Sequence, residues 1–206
     1  MDIKYVFWDC DNTLVHTAEH HWQKNLHVLR RYGIDLPEQH KHRVFLQGSP
    51  QNYKWFTEDL GFDCPEETYL REVDEWFTDN AYEIAERAGV LAALEHFKSL
   101  GIPQAVVSNG RTHSVRTVLD AKGLTPYFDV ILCKEDYEGR KPLPDGYLAA
   151  IKALEKKHNV TIDPATCLAI EDEEKGAQAA HAAGMQCLHR PMDDDFEIIE
   201  RLKPLS

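Results

Sequence analysis

The chain has 206 residues, 43% of them hydrophobic, which is the composition of a globular protein with a substantial buried core. Its 23 Lys and Arg residues stand against 35 Asp and Glu, so the formal net charge is −12. Because this negative charge repels polyphosphate backbones and anionic membranes, we expect no nucleic-acid partner and no membrane partner. No apolar run approaches the roughly 20 residues that a membrane-spanning helix needs.

Five short apolar runs, each bounded by turn residues, predict the strands of one sheet. They cover residues 3–8, 104–107, 130–133, 167–170 and 186–188. Amphipathic helical patterns separate most of these runs, which is typical of a parallel sheet covered by helices on both faces. Gly101, Gly123 and Gly184 follow such patterns at positions where a left-handed helix cap is expected. The sequence therefore predicts an α/β fold.

Residues 16–87 interrupt this alternation. Helical patterns recur around residues 18–32, 52–60 and 66–87, separated by Gly and Pro, and no strand is predicted between them. We therefore predict an inserted all-helical cap at residues 16–87 and a core formed by residues 1–15 and 88–206. Because the insertion follows the first strand, we expect it over the carboxyl ends of the strands, where open α/β sheets bind ligands.

The five cysteines are an odd number, widely scattered, and form no CxxC pair. They are Cys10, Cys64, Cys133, Cys167 and Cys187. This pattern indicates reduced thiols rather than a disulfide framework or a zinc site. The first residues, MDIKYVFWDCDN, do not resemble a signal peptide, because their apolar stretch is short and acidic residues follow it. We therefore expect a cytoplasmic protein.

Two carboxylates, Asp9 and Asp11, directly follow the first predicted strand. Two carboxylates held close together at the end of an apolar strand repel each other, so they need a metal ion or a proton between them. Taken alone, the pair also fits a polar turn in which a carboxylate caps the next element. The interpretation therefore depends on the residues at the ends of the other strands.

Polar residues with complementary chemistry follow the other strands. Ser108 and Asn109 follow the second, where a hydroxyl and the N–H groups of a helix-opening loop can hold an anion. Lys141 offers a cation after the third. Glu171 and Asp172 follow the fourth and supply the hard oxygen ligands that Mg²⁺ prefers. Chance explains any one of these residues but explains the whole set poorly.

The chain resembles a known family in four motifs that occur in the same order. They are WDCDNTL, VVSNG, Lys141-Pro142 followed by PDGY, and IEDEEKGAQAAHAAGM. The chain resembles the haloacid dehalogenase superfamily, and most of all its phosphatase and β-phosphoglucomutase branch with a helical cap. The resemblance covers essentially the whole chain. It implies a Rossmann-like parallel-sheet core, an inserted helical cap and hydrolysis of phosphomonoesters.

The resemblance also implies roles for individual residues. Asp9 is the expected nucleophile that becomes an aspartyl phosphate, and Asp11 is the expected general acid and base. Lys141 is expected to neutralise the nucleophile and the transferred group. Ser108 and Asn109 are the expected phosphate-binding residues. A carboxylate can approach an anionic phosphate only where cations cancel the repulsion between them.

A magnesium ion is the implied cofactor. The expected ligands are Asp9, the backbone carbonyl of Asp11, and Asp172, with Glu171 as a further or more distant ligand. Thr13 is expected to hold the loop that follows the first strand and to belong to the phosphate-binding set.

Three further positions bear on the turn and on the substrate. Asn12 stands where the family usually has glycine, and we expect it to keep a left-handed turn, which asparagine tolerates. His21 matches a histidine of β-phosphoglucomutase that contacts the acid/base aspartate, which keeps a mutase activity open. Arg43, in a segment that resembles the specificity loop of this branch, is a candidate ligand of an anionic substrate group.

The sequence thus predicts a magnesium-dependent phosphatase that acts on a small phosphorylated metabolite, with sugar phosphates among the candidates. Two alternatives stay open: a phosphosugar mutase of the β-phosphoglucomutase type, and a catalytically silent binding protein on the same fold. The expected partner is a small-molecule phosphate ester. Both a monomer and a dimer fit the sequence.

Overall fold

A computed structural model of the chain describes residues 3–194 and 197–202. One parallel sheet organises most of this structure. Its strands are β1 (Tyr5–Trp8), β2 (Gln104–Val107), β3 (Val130–Leu132), β4 (Cys167–Glu171) and β5 (Gln186–His189). They lie in the order β3-β2-β1-β4-β5, and each neighbouring pair is parallel. The predicted α/β fold with a parallel sheet is confirmed.

The central strand, β1, lies at the point where the strand order reverses. From β1 the chain adds β2 and β3 on one side and then returns to add β4 and β5 on the other. In open α/β sheets, ligands bind outside the carboxyl ends of the strands at such a reversal. A ligand site is therefore expected among the residues that follow β1, β2 and β4.

The α-helices account for most of the remaining described residues. They are α1 (Ala18–Arg31), α2 (Lys41–Gln47), α3 (Ser49–Leu60), α4 (Glu66–Asn80), α5 (Val90–Ser99), α6 (Thr112–Ala121), α7 (Asp145–His158), α8 (Glu174–Ala182) and α9 (Ile198–Leu202). Gly101, Gly123 and Gly184 have positive φ angles beyond the ends of α5, α6 and α8, as the sequence predicts. No helix in the described ranges is both long enough and apolar enough to cross a membrane.

Helices cover both faces of the sheet, as alternate residues of β1 show. Phe7 packs edge-to-face on Tyr147 of α7, with ring centroids 6.3 Å apart. Its neighbour Trp8 points to the other face and packs edge-to-face on Phe97 of α5 at 6.2 Å. All four side chains are buried, and burying an apolar side chain of this kind contributes roughly 1.5–3 kcal/mol.

The chain divides into two units, Met1–His16 with Ala85–Ser206 and Thr17–Ile84. The first, the core unit, contains the sheet. The second, the helical unit, contains α1 to α4 around a largely aromatic core. That core includes Trp22, Phe56, Phe62, Tyr69 and Val73.

In the helical unit, one helix was not predicted and two helix boundaries differ by several residues from the sequence prediction. Helix α2 was not predicted, because only Val44 is buried in its seven residues and so short a segment has little periodicity. Helix α3 begins at Ser49 rather than residue 52. Helix α4 ends at Asn80 rather than residue 87, because the chain then returns to the core unit, where Glu86 pairs with Val15.

The second strand has the predicted bounds, and the other four differ from the prediction by one or two residues. The difference at β4 matters for function, because this strand continues through Glu171 instead of ending at residue 170. Glu171 pairs in register with His189 at the end of β5. Successive side chains of a strand point to opposite faces of the sheet, so the side chains of Glu171 and Asp172 leave the backbone in different directions.

Candidate active site

The loop after β1 brings Asp9 and Asp11 to the carboxyl edge of the sheet. Asp9 is buried, and its backbone N–H donates to the carbonyl of Ile170 in β4 at 3.0 Å. Asn12 then adopts a φ of 58°, the left-handed conformation expected at this position. Its N–H donates to the carbonyl of Val15 at 2.7 Å, which closes the turn.

The carboxylate of Asp11 and the hydroxyl of Ser108 converge on Gly110. A Cβ atom built on Gly110 would lie 3.0 Å from Asp11 Oδ2 and 3.0 Å from Ser108 Oγ. A side chain at this position would press on both groups. The small residue after Ser108 and Asn109 therefore lets the loops that follow β1 and β2 approach each other.

Lys141 is the buried cation of the site. Its Nζ lies 2.7 Å from Oδ1 of Asp9 and 2.6 Å from Oε1 of Glu171. It also donates to the carbonyl of Val107 at 2.7 Å. Burial alone would lower the pKa of Lys141, but the carboxylates of Asp9 and Glu171 raise it above its ordinary value. The ammonium group is therefore charged at neutral pH.

Glu171 is held in place from three sides. Its carboxylate contacts Lys141, and it accepts a hydrogen bond from the hydroxyl of Tyr147. It also fills the space beside Gly176, where an added Cβ atom would lie 2.1 Å from Glu171 Oε2. Glu171 is almost completely buried. These contacts direct its carboxylate toward the lysine.

Three carboxylates of the site could hold a divalent cation. Ligand oxygens of Asp9, Glu171 and Asp172 lie within 4.8 Å of one another. Burial raises the pKa of Asp9 well above its ordinary value, although Lys141 opposes this shift. Burial, with Glu173 and Glu171 nearby, raises the pKa of Asp172 to about 7.

These three carboxylates stand against one lysine, so a cation would relieve the excess negative charge, and their oxygens suit Mg²⁺. The expected metal ligands therefore fit the predicted cofactor. Asp11 is not part of this carboxylate group, since its side chain lies beside Gly110. The predicted use of its backbone carbonyl stays a prediction.

Asp172 is positioned by one residue of the loop after β1 and one residue of β5. Thr13, in the loop after β1, donates its hydroxyl hydrogen to Asp172 Oδ1 at 3.3 Å. The ring of His189, at the end of β5, places Nε2 3.0 Å from the carbonyl oxygen of Asp172. Thr13 thus contacts a proposed metal ligand, and its predicted contact with phosphate stays a prediction.

The loop after β2 is connected to the Lys141 segment. Oδ1 of Asn109 accepts a hydrogen bond from the backbone N–H of Lys141 at 3.1 Å. Ser108 Oγ accepts one from the N–H of Gly110 at 2.9 Å, which leaves its own O–H to donate. The phenol of Tyr137 donates to the carbonyl of Ser108 at 2.6 Å.

The helical unit contains the two remaining predicted residues. The ring of His21, on α1, stacks on Phe77 with centroids 5.2 Å apart and lies 5.9 Å from the ring of Phe45. The guanidinium of Arg43, on α2, lies 3.8 Å from the ring centroid of Trp55. These contacts describe the helical unit, and the substrate roles of both residues stay predictions.

Sequence reasoning missed three residues that contact the site: Tyr137, Tyr147 and His189. Tyr147 lies in the PDGY segment that helped to carry the family resemblance, so a signal for it was present. Its hydroxyl partner could not be inferred, because that contact depends on the register of β4. Neither Tyr137 nor His189 lies in one of the four motifs.

Comparisons with known proteins identify the family. A haloacid dehalogenase-like hydrolase model matches residues 3–184. Protein CbbY of Rhodobacter capsulatus is 26% identical to this chain, covering 100% of the chain and 95% of that protein. Fructose-1-phosphate phosphatase YqaB of Escherichia coli (strain K12) is 25% identical, covering 89% of the chain and 94% of that protein.

A solved structure agrees with these comparisons. CbbY of Rhodobacter sphaeroides in complex with phosphate superposes with a TM-score of 0.78 at 26% identity, covering 92% of this chain and 86% of that one. The resemblance seen in the four motifs is confirmed. The chain is therefore an enzyme of the haloacid dehalogenase-like hydrolase family, built on the Rossmann-like core of that family.

Proposed function

We propose that the protein is a magnesium-dependent phosphatase that hydrolyses a small phosphorylated metabolite, of the sugar-phosphate class, through an aspartyl-phosphate intermediate. The observation that carries this proposal is the buried contact between Asp9 and Lys141, with Asp172 and Glu171 beside it. It joins a nucleophile to the positive charge that an anionic substrate requires. The names of the relatives, a fructose-1-phosphate phosphatase among them, support the substrate class.

In the first step, Asp9 Oδ2 attacks phosphorus while Oδ1 keeps its hydrogen bond to Lys141. The bond between phosphorus and the leaving oxygen breaks, and Asp11 gives that oxygen a proton. Ser108 donates its hydroxyl hydrogen to a phosphoryl oxygen. Lys141 reduces the repulsion between the carboxylate and the phosphate, which is the main requirement of phosphoryl transfer.

In the second step, Asp11 takes a proton from a water molecule that attacks phosphorus. The bond between phosphorus and Asp9 Oδ2 breaks, and inorganic phosphate leaves. Asp9, Asp172 and Glu171 would hold Mg²⁺, which supplies charge neutralisation for the phosphoryl oxygens. Glu171 would also orient Lys141, because its carboxylate contacts both the lysine and Tyr147.

We also propose that residues 1–15 and 88–206 form the catalytic core and that residues 16–87 form the helical cap. A cytoplasmic location belongs to the same proposal, and the five free cysteines support it. The net charge of −12 argues against a nucleic-acid or membrane partner.

A panel of sugar phosphates and other phosphate esters, assayed for released phosphate with Mg²⁺, tests the proposal. Asp9→Asn should lose activity by on the order of 10³-fold or more, because the amide cannot replace the nucleophile. Asp120→Asn changes an exposed carboxylate of α6 and should keep wild-type activity.

Two outcomes would contradict the proposal. Conversion of glucose 1-phosphate to an isomer, with little phosphate released, would assign the protein to the mutases. No turnover of any ester by folded wild-type protein would favour the silent binding protein.

A further inference from the structure

A buried arginine, Arg87, lies where the chain returns to the core unit before α5. Its backbone N–H donates to the carbonyl of Leu14 at 3.0 Å. The preceding residue, Glu86, forms an antiparallel bridge with Val15. The backbone of Arg87 is thus attached to the loop that carries Asp9 and Asp11.

The side chain of Arg87 forms hydrogen bonds both to this loop and to the C-terminal part of the core unit. It is 1% exposed. Nη1 donates to the carbonyls of Asn12 at 2.8 Å and Arg190 at 2.9 Å. Nη2 donates to the carbonyls of Pro191 at 3.0 Å and Asp194 at 3.4 Å. One guanidinium group thereby joins two distant segments of the chain through four backbone carbonyls.

The segment after β5 is itself fixed, so it can act as an anchor. The N–H of Arg190 donates to the carbonyl of Glu171, at the end of β4, at 2.6 Å. The Arg190 side chain donates to the carbonyl of Ala88 at 2.7 Å. Arg87 therefore connects the loop after β1 to a segment that the sheet already holds.

The residue that Arg87 contacts in this loop has a demanding backbone. Asn12 adopts a φ of 58°, which asparagine tolerates better than most residues but which still costs free energy that the surrounding contacts must offset. This turn directly follows Asp11 and sets the course of the chain after it. A hydrogen bond to the carbonyl of Asn12 opposes rotation of the peptide plane that begins the turn.

We propose that Arg87 is a positioning residue for Asp9 and Asp11, acting through the carbonyl of Asn12. This inference rests on the proposed function, in which these two carboxylates perform the chemistry. The planar fork of a guanidinium group suits several carbonyls at once, whereas a lysine ammonium acts as a single point charge. Loss of the arginine should therefore affect turnover more than substrate binding.

Kinetics of Arg87→Lys and Arg87→Met with p-nitrophenyl phosphate and Mg²⁺ test the proposal. A displacement of about 1 Å in a catalytic group can reduce the rate about 10²-fold. We expect kcat to fall about tenfold in Arg87→Lys and about 10²-fold in Arg87→Met, with KM within about threefold of wild type in both.

Arg190→Lys is the matched control. It changes a second fully buried arginine, whose side chain donates to the carbonyl of Ala88, and it keeps the backbone hydrogen bond from residue 190 to Glu171. With comparable thermal stability, this control should keep a kcat near that of wild type. An unchanged kcat in both folded Arg87 variants would overturn the proposal, and so would an equal loss of kcat in Arg190→Lys.

Hydrogen exchange of the backbone amides of residues 9–15 provides a readout that does not need activity. Exchange there should be faster in Arg87→Met than in wild type and unchanged in Arg190→Lys. Inactive wild-type protein would contradict the proposed phosphatase, and the exchange result would then decide whether Arg87 holds the loop. Unchanged exchange in Arg87→Met would show that it does not.

Discussion

Lys141 Nζ lies 2.7 Å from Oδ1 of Asp9, although the two residues are 132 positions apart in the chain. Both are buried, and the lysine also contacts Glu171. Removing one member of a buried ion pair leaves the other charge without compensation, so these groups depend on one another. The same contact links stability to the proposed chemistry.

Lys141→Met should therefore reduce both stability and activity. We expect the free energy of unfolding to fall by about 3–5 kcal/mol, because two buried carboxylates would lose their counter-charge. The kcat/KM for phosphate release should fall by about 10²-fold or more, since the positive charge acts directly on the transferred group.

Urea unfolding and steady-state kinetics measure these two effects. Lys152→Met removes an exposed lysine from α7 and should leave both values nearly unchanged. A folded Lys141→Met protein with wild-type kcat/KM would contradict the assigned role of the lysine.

Gly176→Ala tests the packing that holds Glu171. In the interior of a helix, replacing glycine by alanine normally stabilises by about 1 kcal/mol. Here the new Cβ atom would lie 2.1 Å from Glu171 Oε2, so the carboxylate must move away from its contacts with Lys141 and Tyr147. We expect a net loss of stability and a lower kcat, measured by thermal unfolding and phosphate release.

Gln178→Ala provides the control on the same helix, α8, at an exposed position. It changes helix propensity without touching Glu171, so activity should be retained. A more stable Gly176→Ala protein with full activity would show that the carboxylate tolerates displacement.

The raised pKa of Asp172 predicts that the stability of the metal-free protein depends on pH. Its pKa in the folded protein is raised to about 7, so the folded state binds a proton more tightly than the unfolded state does. Stability from this group should therefore fall as pH rises from about 4 to about 7, and the loss should persist above that range. Thermal unfolding in EDTA at pH 5 and pH 8 measures the effect.

The comparison with Asp172→Asn isolates this carboxylate from other titrating groups. The fall in melting temperature from pH 5 to pH 8 should be smaller in the variant. Mg²⁺ should stabilise the wild type more at pH 8 than at pH 5, because protons compete with the metal for the ligands. An equal effect of Mg²⁺ on wild type and Asp172→Asn would argue against Asp172 as a ligand.

Asp11→Asn separates the two halves of the proposed reaction. Without a proton donor, esters with poor leaving groups should lose more activity than p-nitrophenyl phosphate, whose leaving group needs little protonation. Water activation is impaired for every ester, so a covalent phosphoenzyme should accumulate with p-nitrophenyl phosphate. Rapid-quench measurement of protein-bound phosphate tests this.

Asp9→Asn serves as the reference and should show no bound phosphate. Equal losses for all leaving groups would contradict the acid role of Asp11. Absence of bound phosphate during turnover would contradict its role as the base of the second step.

Much of the site could be predicted because parallel strands deliver their following residues to one edge. Asp9, Ser108 and Asp172 are recognisable from that rule, and the structure places them there. The partners of Glu171 are different, because its orientation depends on whether β4 includes one more residue. A hydrophobic pattern does not distinguish a final strand residue from the first residue of the loop.

The helical unit shows the same limit on a larger scale. A periodic pattern predicts α1 well, but only tertiary contacts explain why α4 ends at Asn80. The residues after it pair with the loop that follows β1, as the Glu86–Val15 bridge shows. Local composition does not predict which segments pair when they lie so far apart in the sequence.

The site can form only when segments far apart in the chain come together during folding. Asp9 follows the central strand, but its neighbours Lys141 and Asp172 come from much later in the chain, and Asp172 follows β4, which pairs with β1. An N-terminal fragment that lacks β4 cannot assemble the carboxylate group. Phosphatase activity should therefore appear during refolding only once β4 has paired with β1.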